Sequence, residues 1–315
     1  MQENFEGIFA NCAFKRMHAQ AARRLLLACA VAAGALGCTG SLAPPSPPDM
    51  TQACTPTPAD PAGSFRFAVF GDVRPAEPND SPNYPTAIVT GLFQQIAAQS
   101  PSFVVGTGDY MFASSSTEVN AQLPLLLGAE QAFSGPIYHA LGNHECTGAT
   151  ASNCPAFNET SNMRAFMTKM LPPGTTTPYY RVDFDTGAGK AKLVVIAANA
   201  WSDTQATWLE HELADPTAYT FVVRHEAASV KATAGAAASE AIVAKHPLTL
   251  ELLGHFHEYQ KLDERHIISG NGGAPLSFGN YGFLLVDLLT NGNLSVSEID
   301  QATGSATDTF TICPY

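Results

Sequence analysis

Basic residues are scarce in this chain of 315 residues, in which 16 lysines and arginines stand against 28 aspartates and glutamates. The formal net charge is -12 at neutral pH. A general nucleic-acid-binding protein needs a cationic surface to neutralise phosphates, so this balance argues against nucleic acid as a partner. Charged residues make up only 14% of the chain and hydrophobic residues 45%, which is typical of a globular protein with a substantial core.

Long apolar runs are also scarce. The candidate near the N-terminus, residues 25–37, is too short to span a bilayer comfortably as a helix. It follows Arg23 and Arg24, as the core of a signal peptide does, and it leads into the sequence ALGC at Cys38, which resembles a bacterial lipobox. We therefore expect an exported lipoprotein, held at the cell envelope on its periplasmic or outer-membrane face by a lipid on Cys38. Cleavage without lipidation, which would give a secreted protein, is the alternative.

Composition divides the chain into three parts. Residues 1–38 are the predicted signal peptide with its lipobox-like end. Residues 39–63 are rich in proline, serine and threonine, which favours an extended linker rather than a packed core. Residues 64–315 are the predicted folded domain, and no later run is long and apolar enough to cross a membrane. Membrane contact is therefore expected only through the lipid.

Cysteine is sparse, but four residues follow the predicted lipidation site: Cys54, Cys146, Cys154 and Cys313. An even number in an oxidising compartment predicts two disulfides. Of the three possible connectivities, we expect Cys146–Cys154, which closes a short polar loop, and Cys54–Cys313, which joins the two ends of the mature chain. A metal-ligand role for Cys146 is the rival interpretation.

Short apolar runs alternate with helical patterns along the folded domain. The runs have the length and β-branched content of buried strands, and they occupy residues 65–70, 102–108, 136–141, 220–223 and 248–254. The helical patterns cover Thr86–Gln99, Gln205–Leu213 and Ser239–Lys245. Alternation of this kind predicts an α/β fold, in which ligands bind beyond the carboxyl ends of the strands.

Four motifs stand at those predicted strand ends: GDVR at 71–74, GTGD at 106–109, GNHE at 142–145 and GHFH at 254–257. They supply carboxylate, amide and imidazole groups. This mixture suits zinc, manganese or iron better than the all-oxygen sites of calcium. The motifs therefore predict a transition-metal site.

The order of these motifs and the residues in them resemble those of the calcineurin-like metallophosphoesterases, a superfamily that includes the purple acid phosphatases. The resemblance runs from Phe65 to the C-terminus. It implies a four-layer α-β-β-α sandwich of two mixed sheets, with the metal site at the C-terminal ends of strands. Four closely spaced strand candidates near the C-terminus are expected to form an antiparallel sheet with a hairpin turn at Asn291-Gly292: residues 266–273, 281–288, 293–300 and 307–312.

The resemblance also implies two divalent or trivalent transition-metal ions, of iron, manganese or zinc, at sites that we call M1 and M2. Asp109 would bridge them. The other ligands would be Asp72 and His257 at M1, and Asn143, His225 and His255 at M2. A lone histidine after a strand, such as His225, could also be a hydrogen-bonded structural residue.

Chemistry follows from the same resemblance. A metal-bound hydroxide would attack the phosphorus of a phosphomonoester or phosphodiester. His144 would be catalytic, protonating or stabilising the leaving-group oxygen. Glu145 would orient His144. Purple acid phosphatases carry an iron-binding tyrosine three residues after the bridging aspartate, where this chain has Phe112, so we expect a bacterial relative without that chromophore.

Arg74 departs from the family pattern, in which the first motif reads Asp-x-His. A guanidinium stays protonated and has no lone pair to give to a metal. Three outcomes are open. M1 binds through the remaining ligands with Arg74 contacting a phosphate oxygen, which we expect; M1 is weak or absent, with the arginine charge substituting for it; or Arg74 turns away into an ion pair.

The predicted function is an exported metal-dependent phosphoesterase whose partner is a phosphate-ester substrate. The alternative, kept open by Arg74, is a degenerate lipoprotein of the same fold that binds a ligand or partner without turnover. The identity of the substrate, the metals and the oligomeric state are open.

Overall fold

The computed structural model of the chain describes residues 59–147, 153–154 and 160–314. The predicted signal peptide at 1–38, most of the predicted linker at 39–63, and the cysteines Cys38 and Cys54 lie outside these residues. Within the described part, none of the helices has both the length and the apolar character needed to cross a membrane.

Strands and helices alternate through most of the described part. The strands are β1 Pro61–Phe70, β2 Phe103–Gly106, β3 Ile137–His139, β4 Tyr180–Asp185, β5 Lys190–Val195, β6 Tyr219–Val223, β7 Leu250–Leu253, β8 Tyr259–Lys261, β9 His266–Ser269, β10 Gly282–Leu289, β11 Leu294–Asp300 and β12 Ala306–Ile312. The α-helices are α1 Thr86–Ala98, α2 Ser116–Glu130, α3 His144–Thr147, α4 Ser161–Lys169, α5 Asp203–Ala214 and α6 Ala234–Val243.

These strands form two mixed six-stranded sheets. The first has the order β12-β11-β10-β1-β2-β3, with β1, β2 and β3 parallel and the other three antiparallel. The second has the order β4-β5-β6-β7-β9-β8, with β5, β6, β7 and β9 parallel and the two edge strands antiparallel. The predicted α/β sandwich of two mixed sheets is confirmed.

Alternation of side chains along β1 explains the layers. Phe65, Phe67 and Val69 point into a core shared by the two sheets. Ala68 and Phe70 point the opposite way, into a core with α1, α2 and α4. A third core packs α5 and α6 on the outer face of the second sheet. The order is therefore helices, sheet, sheet, helices.

One strand assignment from the sequence is wrong. Residues 266–273 were expected in the C-terminal antiparallel sheet, but β9 lies in the second sheet and runs parallel to β7. Its apolar residues are buried, and a short buried run of this kind fits a parallel strand equally well. The antiparallel group β10, β11 and β12 is confirmed, as is the hairpin, in which Gly292 has a φ of 83°.

The disulfide Cys146–Cys154 is present as predicted. It follows directly on the GNHE motif and excludes Cys146 as a thiolate ligand. Cys313 is also disulfide-bonded, but its predicted partner Cys54 lies outside the described residues.

Glu145 has a different role from the predicted orientation of His144. Its carboxylate is fully buried and accepts hydrogen bonds from three backbone amides: Oε2 from Asp109 at 2.9 Å and from Gly142 at 3.0 Å, and Oε1 from Tyr110 at 2.8 Å. Glu145 therefore joins the loop after β2 to the loop after β3, because one carboxylate satisfies donors from both.

We expect Glu145→Gln to lower the free energy of unfolding by about 1–3 kcal/mol, because the side-chain amide would direct a donor at a backbone N–H and leave it unsatisfied. Denaturant titration measures this change. The matched control is Glu210→Gln on the surface of α5, which should change stability by less than about 0.5 kcal/mol. Equal effects of the two substitutions would contradict the role assigned to Glu145.

Candidate metal centre

The carboxyl ends of parallel strands from both sheets meet at one edge of the sandwich. From the first sheet, Asp72 follows β1, Asp109 follows β2 and Asn143 follows β3. From the second, His225 follows β6, and His255 and His257 follow β7. All six predicted ligands therefore come to the same end of the fold.

The backbone at this edge is held in unusual conformations. Among the described residues, five non-glycine residues have positive φ, and three of them are predicted ligands: Asp72 at 55°, Asp109 at 59° and His255 at 73°. Each such conformation costs about 1–3 kcal/mol and persists only where neighbouring structure enforces it. The backbone at Gly142 packs directly against Asp109 and helps to hold it in this conformation. Only glycine fits there, since a Cβ on Gly142 would lie 2.3 Å from Oδ1 of Asp109.

The four predicted M2 donors converge. Oδ1 of Asn143 lies 3.2 Å from Nε2 of His225 and 3.2 Å from Nδ1 of His255. Oδ1 of Asp109 lies 3.3 Å from Nε2 of His225. Nδ1 of His225 lies 2.9 Å from the carbonyl of Thr107, which only accepts, so Nδ1 carries a proton and Nε2 is the ring atom that faces the two oxygen atoms.

This donor set fits a transition-metal ion. Nitrogen and oxygen ligands at about 2.0–2.2 Å from one ion are separated from each other by roughly 3.0–3.5 Å, and the spacings above fall in that range. A metal ion at M2 would bind Nε2 of His225 in place of a proton, because a ligand imidazole must be neutral.

The M1 donors have a cation of the protein beside them. Oδ1 of Asp72 lies 3.8 Å from Nε2 of His257. The guanidinium of Arg74 lies between M1 donors, with Nη2 at 3.2 Å from Nε2 of His257 and Nε at 3.6 Å from Oδ2 of Asp109. Arg74 is thus directed into the site.

His144 lies beside the Asp109 carboxylate. Its backbone N–H donates to Oδ1 of Asp109 at 3.1 Å, and its Nε2 lies 3.6 Å from Oδ2. The ring packs edge-to-face on Phe112, with centroids 4.2 Å apart. Burial lowers the pKa of His144 to about 4. The side chain is therefore positioned beside Oδ2 of Asp109, the oxygen that Arg74 also approaches.

Asp109 and the neighbouring histidines shift each other's pKa values. Burial alone would raise the pKa of Asp109, but the neighbouring His225 and His144 hold it well below its ordinary value. Burial would lower the pKa of His225, and the Asp109 carboxylate raises it instead, to about 10. Burial raises the pKa of Asp72 well above its ordinary value. The centre therefore favours positive charge next to Asp109.

Sequence reasoning missed Glu226, which follows His225 directly. Its carboxylate is buried, with Oε1 at 3.5 Å from Nδ1 of His255, and burial raises its pKa to about 7. The position of this acid beside a ligand histidine in the chain was the available signal. Glu226 contacts an M2 ligand and lies next to another.

A second group of metal-type side chains in the described residues consists of Glu240, Glu251 and His266. Arg224 occupies this group, with Nε at 3.0 Å from Glu251 and Nη2 paired with Glu240. Arg224 pairs with both carboxylates, so the group is an ion-pair network between the second sheet and α6.

Residues 65–259 match the family of calcineurin-like phosphoesterases, which covers more than half of the chain. No curated protein matches the chain in sequence. Among solved structures, a purple acid phosphatase from yellow lupin seeds is 17% identical with a TM-score of 0.60, and the match covers 78% of this chain and 53% of the lupin chain.

The chain thus spans about half the length of the lupin enzyme. A dimetal phosphatase from Danio rerio is 13% identical with a TM-score of 0.57, and the match covers 81% of this chain and 100% of the fish chain. At these identities the likeness establishes the fold, and the family implies a dimetal site. From the family match, the two mixed sheets and the converging ligands together, this chain belongs to the calcineurin-like phosphoesterase family.

Proposed function

We propose that the chain is a metal-dependent phosphoesterase that hydrolyses phosphomonoesters or phosphodiesters. The observation that supports this most directly is the convergence of the M2 donors, with His144 and Arg74 at their edge. A phosphoryl group next to these side chains would meet a bound metal, an imidazole and a guanidinium, which are the groups that stabilise charge in phosphoryl transfer.

The M2 ion would be held by Asp109, Asn143, His225 and His255. When bound, a transition-metal ion polarises a phosphoryl oxygen and makes water a stronger nucleophile at neutral pH. The remaining chemistry belongs to the side chains. Buried donors on strained loops do not need to reorganise when substrate binds, which favours the transition state over the ground state.

His144 is proposed to donate a proton to the leaving-group oxygen. Because burial lowers the pKa of His144 to about 4, the ring at neutral pH is neutral, and it would act through the N–H of Nε2 as negative charge develops on that oxygen. The backbone of His144 is fixed by the hydrogen bond to Asp109, and its ring by contact with Phe112, so the Nε2 atom is held at the edge of the donor cluster. The Asn162 side-chain amide also donates to the carbonyl of His144 at 3.1 Å. This positioning is what general acid catalysis requires.

A ligand-binding protein without turnover is the second candidate, because Arg74 stands where the family has a metal-ligand histidine. Hydrolysis of an aryl phosphate ester by the metal-loaded chain distinguishes the two. The assay should include a monoester and a bis-aryl diester with zinc, manganese and iron. Bound metal without hydrolysis of either ester would favour the second candidate.

We further propose that the enzyme acts at the cell envelope, anchored by a lipid on Cys38. The sequence at 25–38 and the Cys146–Cys154 disulfide support export. Cys38→Ala should move the protein from the membrane fraction to the soluble fraction, as measured by fractionation and immunoblotting, while Cys54→Ala stays at the membrane. Retention of the Cys38→Ala variant would contradict the lipid anchor.

Asp109→Asn should remove bound metal and reduce turnover to background, because the variant loses the anionic donor on which the site converges. Elemental analysis and aryl phosphate hydrolysis measure the two effects, with circular dichroism as the test of folding. The matched control is Asp287→Asn in β10, which breaks a partly buried ion pair with Arg66 of β1 and should retain metal and activity. A variant with wild-type metal content would refute the assignment of Asp109.

His144→Ala should retain bound metal, while kcat falls by about 10²–10⁴-fold as for a lost general acid. The loss should shrink as the leaving group becomes a better one, since a stable phenolate needs less protonation. A series of aryl phosphates of graded leaving-group pKa measures this trend. His211→Ala on the exposed face of α5 is the control. An equal loss across the series would contradict the acid role.

A further inference from the structure

We propose that Arg74 takes the place of the M1 ion, so that this chain binds a single transition-metal ion, at M2, and completes its phosphate site with a guanidinium. This is the second of the three outcomes left open by the sequence and replaces the expected one, in which M1 is also bound. The inference rests on the proposed function for its chemistry. The number of metal ions, however, is measured without any turnover.

A hydrogen bond from Arg74 engages the lone pair of His257. Its Nδ1 lies 2.9 Å from the carbonyl oxygen of Pro275, which only accepts, so Nδ1 carries the ring proton. The lone pair of the neutral ring is then on Nε2, the atom available to M1. Nη2 of Arg74 lies 3.2 Å from that atom and donates to it. A hydrogen bond therefore occupies the imidazole lone pair that M1 would need.

Arg74 also approaches the Asp109 carboxylate. Nε of Arg74 lies 3.6 Å from Oδ2 of Asp109, the oxygen on the M1 side, while Oδ1 faces the M2 donor His225. The guanidinium thus approaches two of the M1 donor atoms at once. A metal ion bound by the same two atoms would lie next to a positive charge that cannot be lost by deprotonation, since arginine stays protonated in proteins.

Neighbouring groups hold Arg74 in this position. Nη1 donates to the carbonyl of Pro75 at 3.0 Å, and the guanidinium carbon lies 4.6 Å from the centroid of the Phe112 ring, within the range of a cation–π contact. Gln122 in turn fixes Phe112, because its side-chain amide accepts from the backbone N–H at 2.7 Å and donates to the carbonyl at 3.2 Å. The side chain of Arg74 is only 13% exposed.

The M2 donors are arranged differently. Oδ1 of Asn143 lies 3.2 Å from Nε2 of His225 and 3.2 Å from Nδ1 of His255, and the hydrogen bond of Nδ1 of His225 to Thr107 leaves Nε2 as the atom that faces the M2 position. Asp72 also serves M2 indirectly, since its Oδ2 accepts the backbone N–H of His255 at 3.0 Å and so holds that residue in its left-handed conformation. The contrast between the two halves of the centre predicts one ion.

The guanidinium would then supply positive charge to the phosphate in place of the second metal ion. Its planar set of N–H donors can bind an oxygen of the phosphate monoanion or dianion and stabilise the charge that develops there. A fixed charge beside one metal ion gives a site with two cations but a single exchangeable one. The substrate class is unchanged, and Arg74 becomes a catalytic residue because it contacts the phosphoryl group.

The test is metal stoichiometry of the full chain, loaded with Mn²⁺, dialysed and measured by elemental analysis and electron paramagnetic resonance. We expect one Mn²⁺ per chain with the six-line signal of an isolated ion. Arg74→His should bind two, with the broadened signal of a coupled pair, because a neutral imidazole restores the M1 ligand. Arg74→Ala should bind the second ion more weakly than Arg74→His. The control Arg181→His, which removes a similarly buried arginine from ion pairs on β4, should bind one.

Two ions in the wild-type chain would overturn the inference, and so would one ion in every variant, provided that circular dichroism shows Arg74→His to be folded. If that variant fails to fold, Arg74→Ala decides in the same way. One ion in the wild-type chain without hydrolysis of an aryl phosphate would contradict the proposed function and leave the metal count standing. No bound ion in any variant would overturn both.

Discussion

The carboxylate of Asp109 is the group on which the rest of the centre depends. It is buried, and a buried charge is stable only when it is paired and hydrogen-bonded. In this fold it is contacted from three directions, by Nε2 of His225, by the backbone and ring of His144, and by Nε of Arg74. The need to balance this single charge accounts for why cationic and metal-binding groups from both sheets converge there.

Holding that carboxylate in place requires unfavourable local structure. Three predicted ligands adopt left-handed backbone conformations, and the loop at Gly142 approaches Asp109 more closely than any side chain would permit. Glu145 offsets part of this cost, because its two oxygens satisfy amides in both loops. The large core between the sheets supplies the remaining stability and keeps the strand ends in register.

Arg74 shows how one substitution in a family motif redistributes the roles of its neighbours. His257 binds Pro275 and Arg74, and Asp72 supports the backbone of His255. Phe112 stands where purple acid phosphatases have a tyrosine, and its ring contacts both Arg74 and His144. The two departures from the family pattern are thus in contact with each other, which is consistent with a centre in which a fixed charge and a packed aromatic ring stand in for ligands.

Much of this could be predicted from sequence, because local patterns are enough to define it. The runs before Asp72 and Asp109, the Asn291-Gly292 hairpin and the Cys146–Cys154 disulfide depend on neighbours in the chain. The placement of β9 could not be predicted, since a short buried run fits either sheet. Nor could the role of Glu145 or the contact between Arg74 and His257, which are 183 residues apart. The sequence by itself determined the ligand types and the strand ends that carry them; only the tertiary structure decided which atoms face each other, because distances between side chains depend on how two separate sheets pack.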